Sequence, residues 1–101
     1  MTPLAQLLEA ALFSAARPLT VEELSTLDQD ATLADVRVAL EQVREHYDFE
    51  QHGVELLELA GGYQILTRPA HAAAIERAHF SVRAPKLTAA ALALGSSSGP
   101  R

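Results

Sequence analysis

The sequence predicts a mainly helical α+β domain, three helices followed by a β-hairpin. Two observations lead there. Apolar residues recur at helical spacing through three early segments, each opened by a threonine. The period then switches to extended on both sides of a Gly-Gly pair. A chain of 101 residues with 49% hydrophobic residues suits one small core and leaves no room for a second full one.

Thr2-Pro3 opens the first helix, a cap followed by proline at the first helical position. Leu4, Leu7, Leu8, Ala11, Leu12 and Ala15 follow as one apolar face, with Phe13 beside it. Pro18 stops this helix, because the residue before a proline is pushed out of the α region. Thr20 and Glu23 have capping-box spacing, and Leu19 with Leu24 that of a hydrophobic staple. They predict a short second helix ending near Asp28–Asp30. Thr32 opens the third and longest, with Asp35 in its first turn and Leu33, Val36, Leu40, Val43 and Tyr47 as a narrow core stripe running to about Asp48.

Val54–Ala60, Gly61-Gly62 and Tyr63–Thr67 read as a hairpin turning on the two glycines. That turn sets Glu55 opposite Arg68, Leu57 opposite Leu66, Leu59 opposite Gln64 and Glu58 opposite Ile65. Val54, Leu56, Ala60, Tyr63 and Ile65 then share one face, and Leu57, Leu59 and Leu66 the other. A helical core covers one face only, so the second needs a further helix or a partner. Pro69 ends the strand and begins a last helix over Ala70–His79, anchored by Ile75. Residues 1–80 thus form one domain. Ser81–Lys86 reads as a linker, and Gly95–Arg101 as a cloning linker or a shifted reading frame.

Composition excludes several classes of function. With no cysteine, disulfide scaffolds, thiol catalysis and thiolate metal sites are out, and an intracellular setting fits. No apolar run approaches a membrane span, and the N-terminus lacks the basic flank of a signal peptide. His46, His52, His71 and His79 lack the i, i+4 spacing of a helical zinc site, so no metal is expected. There is no phosphate loop or nucleophile elbow, and neither catalysis nor a cofactor is expected.

Three helices and a hairpin make a winged helix-turn-helix, whose first suspected duty is DNA binding. Charge opposes it. Residues 1–63 hold three Lys/Arg against twelve Asp/Glu, and the third helix carries Asp35, Glu41, Glu45, Asp48 and Glu50 at its end against Arg37 and Arg44. Such a helix is repelled by the phosphates flanking a major groove. The Gly61-Gly62-Tyr63 tip has no cation for a minor groove. Residues 64–101 hold five Lys/Arg and one acid, so the alternative, a dimeric DNA-binding transcriptional regulator, would rely on Arg68, Arg77, Arg83 and Lys86. Among the aromatics, Tyr47, Phe49 and Tyr63 are candidate anchors for a protein partner. The interaction residues selected are Phe13, Leu57, Leu59, Tyr63 and Leu66.

The run Leu8-Glu9-Ala10-Ala11-Leu12-Phe13-Ser14-Ala15-Ala16-Arg17-Pro18-Leu19-Thr20-Val21-Glu22-Glu23-Leu24 resembles the opening of bacterial segregation and condensation protein B. The hairpin, with its Gly61-Gly62-Tyr63 wing and Thr67-Arg68-Pro69 exit, resembles the same family, and the similarity covers roughly residues 4–92. The resemblance implies a non-enzymatic, cytoplasmic, nucleoid-associated subunit of the bacterial condensin complex. Two winged-helix domains stand in tandem in that family. The N-terminal ones pair as a homodimer that clasps the kleisin subunit, which bridges the heads of the SMC ATPase. Leu87–Leu92 is similar to the start of the second domain, and the pattern breaks at Ala93.

Overall fold

The computed structural model describes residues 1–78, in the order α1 (Pro3–Ser14), α2 (Val21–Ser25), α3 (Leu33–Phe49), β1 (Val54–Leu59), β2 (Gly62–Thr67) and α4 (Pro69–Arg77). The chain divides after Leu66 into two compact units, the first holding the three-helix core and the hairpin. The 81–86 linker, the 87–92 segment, the tail and His79 lie outside the described residues.

Each helix of the first unit begins where a threonine satisfies the free backbone donors of its first turn. Thr2 accepts from the Ala5 N–H at 3.1 Å, with Pro3 in the first turn. Thr20 and Glu23 form a reciprocal capping box, each bond 3.0 Å long. Thr32 and Asp35 form another, with Asp in the role usually taken by Glu. The second helix stops at Ser25, short of the expected Asp28–Asp30. Thr26 and Ser25 hydroxyls bond back to the Glu23 and Glu22 carbonyls, and Asp28 accepts from the Asp30 N–H to make a turn instead.

The end of α3 is a Schellman closure. The His52 N–H donates to the Tyr47 carbonyl at 3.0 Å, the Gln51 N–H to Asp48 at 3.3 Å, and Gln51 takes φ 55°. Gln51 thereby occupies a left-handed position that favours glycine.

The core is the expected one with two displacements. Ala5, Leu8 and Leu12 of α1, Val21 and Leu24 of α2, and Val36, Ala39, Leu40, Val43 and Tyr47 of α3 close around Leu56 and Ile65 of the hairpin. Burial of each such leucine contributes about 1.5–3 kcal/mol. Leu7 and Leu33, both expected inside, are 41% and 39% exposed. Ala5 and Ala39, outside the expected stripes, are buried instead.

The hairpin turns one residue earlier than expected. Ala60 and Gly61 carry positive φ, 50° and 78°, and β2 already begins at Gly62. Leu59 therefore stands opposite Gly62 and Leu56 opposite Ile65, and Glu55 faces Leu66 rather than Arg68. The strand residues keep their faces, since the shift moves every pair by two residues and preserves side-chain parity, but Ala60, expected on the face of Leu56 and Ile65, leaves it for the turn and is exposed. Gly62 is needed elsewhere: the backbone of Leu19 crosses directly over it. Leu19 and Tyr63 exchange N–H···O bonds of 2.9 and 2.7 Å, an antiparallel bridge that flanks β2 on the side away from β1. This is the three-helix and wing arrangement that the sequence predicts.

In the second unit α4 starts at Pro69, as expected, and ends at Arg77. It has no buried residue, and Ile75 is half-buried.

Candidate interaction surfaces

α1 is the least polar helix among the described residues. Its one ionisable residue is Glu9, and the Glu9 carboxylate accepts a 2.6 Å hydrogen bond from the Tyr47 hydroxyl on α3. Burial, and then the bond to Glu9, push the Tyr47 phenol well above its ordinary pKa, so it remains a donor at every working pH. With Leu8 and Leu12 turned inward, Pro3, Leu7, Ala10 and Phe13 form an uncharged outer face. Phe13 is 70% exposed. Gln6 and Ser14, also exposed, are the polar residues beside this face.

At the N-terminal end of α1, Met1, Thr2, Gln42, Glu45, His46, Asp48 and Phe49 line an open groove of about 950 Å³. The Thr2 hydroxyl and main-chain nitrogen both donate to the Gln42 side-chain oxygen, at 3.0 and 3.3 Å, which ties the helix start to α3. Phe49 stands at the groove with 84% of its surface exposed. A smaller cleft of about 320 Å³ lies between Arg44 and Asp48 of α3 and the β1 residues Glu55, Leu56, Leu57 and Glu58.

The residues selected from sequence do not form one site. Phe13 is on α1. Leu57 and Leu59 are half-buried on the outer face of the hairpin. Leu66, expected to lie open beside them, is 3% exposed, so the open apolar face is confined to β1. Tyr63 packs against the core and is fixed by its bridge to Leu19. Leu7 belongs to the exposed face, although helical spacing places it with the core. The signal for it is the near absence of charge along α1, which leaves only Gln6 and Ser14 as exposed polar residues on the helix.

His46 and His52 bring their rings to 5.0 Å, and Tyr47 and His52 to 5.1 Å, at the close of α3. Among the described residues no group of three or more His, Asp or Glu is placed to hold a metal ion, and no helix is long and apolar enough to cross a membrane.

Residues 6–94 match the family described as segregation and condensation complex subunit ScpB. The chain belongs to the ScpB family. Segregation and condensation protein B of Syntrophotalea carbinolica is 42% identical over 86 residues, which is 85% of this chain and 43% of that protein. The homolog from Coxiella burnetii is 38% identical over 65 residues, covering 61% of this chain and 30% of its own length. The chain thus spans less than half the length of the curated ScpB relatives it matches. Among solved structures, ScpB from Mycobacterium tuberculosis superposes with a TM-score of 0.69 at 26% identity, over 88% of this chain and 55% of that one. A crystal structure described as a dimer of the ScpB N-terminal domain complexed with ScpA peptide superposes at 0.68 and 22% identity, over 75% of this chain and 94% of that one. At that identity the second likeness shows the fold alone.

Proposed function

We propose that this chain is the dimerising winged-helix module of a condensin accessory subunit, pairing with a second copy and binding the kleisin subunit in chromosome condensation and segregation. The observation that carries it is the uncharged, exposed outer face of α1 on an otherwise acidic body. Membership of the ScpB family supports it, as does a relative of the same fold crystallised as a dimer with an ScpA peptide. In this role the module is non-enzymatic and cytoplasmic, and it reaches the SMC ATPase through the kleisin. Phe13, Leu57 and Leu59 are its contact residues, and the acidic outer face of α3 keeps it off duplex DNA.

Sedimentation equilibrium at micromolar concentration tests the first half. The expected result is a dimer, and a monomer across that range contradicts the reading. Leu57→Asp, a change at a half-buried position, then reports whether the hairpin takes part: a folded monomer places β1 in the contact.

A further inference from the structure

A second copy of an acidic body has few places to land. Exposed acids mark α2, α3 and β1 of the first unit, Glu22 on α2, Asp35, Glu41 and Glu45 on α3, and Glu58 on β1, while β2, which has none, lies between β1 and the Leu19 bridge. Two copies meeting through any of these faces set like charges against each other, which is destabilising. The outer face of α1 carries none, and Glu9, the single acid of the helix, is already bonded to Tyr47.

That face also has the asymmetry that a two-fold axis can use. Phe13 projects near its C-terminal end, and the groove opens at its N-terminal end beside Met1 and Thr2. The two are separated by the length of α1, about 18 Å at 1.5 Å per residue. In an isologous contact, patch i of one copy meets patch j of the other and j meets i. An antiparallel crossing of α1 on α1 satisfies this, with Leu7 and Ala10 near the axis and each Phe13 over the other copy's groove. Ala10 suits the crossing point, since helix axes in contact lie about 8–10 Å apart according to the side chains between them.

Area points the same way. A stable interface needs about 800 Å² per partner, and one face of a 12-residue helix falls short of that. The groove supplies the remainder, and Phe49 at its wall is the aromatic against which a Phe13 ring would pack. Glu45 and Asp48 also line the groove, but the group it receives is an uncharged ring.

We infer that two copies of this chain pair through antiparallel α1 helices, with Phe13 of each copy seated in the groove of Met1, Gln42, His46 and Phe49 of the other. This rests on the dimer reading given above and assigns its surface. Phe13→Glu and Leu7→Glu each raise the dimer dissociation constant at least about a hundredfold by sedimentation, because a symmetric contact loses the anchor twice. Both positions are exposed, so far-UV circular dichroism of the two variants stays that of the parent.

The absence of native cysteine allows a second, independent test. Ser14→Cys protein is mixed with Glu45→Cys protein and treated with a short bifunctional thiol reagent. The 14–45 product forms much faster than the product of Ser14→Cys with Thr26→Cys, an exposed position at the end of α2 and outside the groove. A dimer that both Glu variants leave intact, one that Leu57→Asp dissolves without unfolding the chain, or one in which the 14–45 pair shows no preference over the 14–26 pair, overturns the α1 assignment while the dimer reading stands. A monomeric parent overturns both.

Discussion

Gly62 lies directly beneath the main chain of Leu19: a β carbon at Gly62 would stand 2.9 Å from both the carbonyl carbon and the carbonyl oxygen of Leu19. The neighbouring Gly61 has open space around it and φ +78°. Adjacent glycines are thus required for different physical reasons, one by tertiary approach and one by backbone conformation. Gly62→Ala must move the Leu19 backbone and strain its two bonds to Tyr63, at a cost of about 2–3 kcal/mol. Gly61→Ala costs about 1 kcal/mol, from the left-handed backbone alone. Urea unfolding of the two variants separates these values, and equal losses contradict the assignment of the turn.

Two left-handed positions are occupied by residues that L-sterics disfavour, Gln51 at φ 55° and Ala60 at φ 50°. Ala60→Asn converts the turn to Asn-Gly, the preferred pair for positive φ at both positions, and Gln51→Gly relaxes the close of α3. Each is expected to stabilise by about 0.5–1 kcal/mol, seen as a higher urea midpoint at unchanged m-value.

The bond between the Tyr47 hydroxyl and the Glu9 carboxylate joins α1 to α3 through a partly buried, charge-assisted contact. Tyr47→Phe is expected to cost about 1.5–3 kcal/mol. A double-mutant cycle with Glu9→Gln checks it, and additive effects at the two positions contradict a direct interaction.

Arg17 grips Glu23 with both guanidinium nitrogens, at 2.7 and 3.0 Å. Those bonds, and the one accepted from the Thr20 N–H, pull the Glu23 carboxyl from 4.5 down to about 2. A carboxylate with a depressed pKa in the fold stabilises it fully above the unfolded value, and that contribution fades as pH falls from 4.5 toward 2. Stability measured against pH should therefore decline through that window, and Glu23→Gln should flatten this part of the decline. An unchanged slope in the variant contradicts the pairing.

Much of this molecule is legible in the sequence because its local signals agree with its tertiary contacts. Thr20 with Glu23 and Thr32 with Asp35 announce helix starts that the structure places at the same residues. The hairpin faces follow from alternation, and parity holds them through the one-residue shift of the turn for every residue but Ala60, which the turn takes. What could not be read was set by contacts distant in sequence. Gly62 reads as a turn residue until Leu19 is seen above it. Leu7 fits a core stripe as well as Leu8 does, and only the packing of α1 on α3 decides that Leu8 goes in and Leu7 stays out. The Leu57, Leu59 and Leu66 face looked uniformly open because strand alternation reports direction and not what lies beyond the strand.

Duplex DNA is a poor ligand for this surface. Non-specific DNA binders reach dissociation constants of ~10⁻⁴–10⁻⁶ M near physiological salt through phosphate neutralisation. The exposed Asp35, Glu41, Glu45 and Asp48 of α3 deny this chain that contribution. No retardation of duplex DNA is expected at micromolar protein, and binding with a steep salt slope contradicts it.

Pairing and kleisin engagement are read together by titration calorimetry with a fragment of the kleisin's central segment. Saturable binding at two chains to one kleisin segment is the expected result for a paired, kleisin-binding module. Binding at one chain to one segment, with the chain monomeric, or no binding at millimolar fragment, would contradict it.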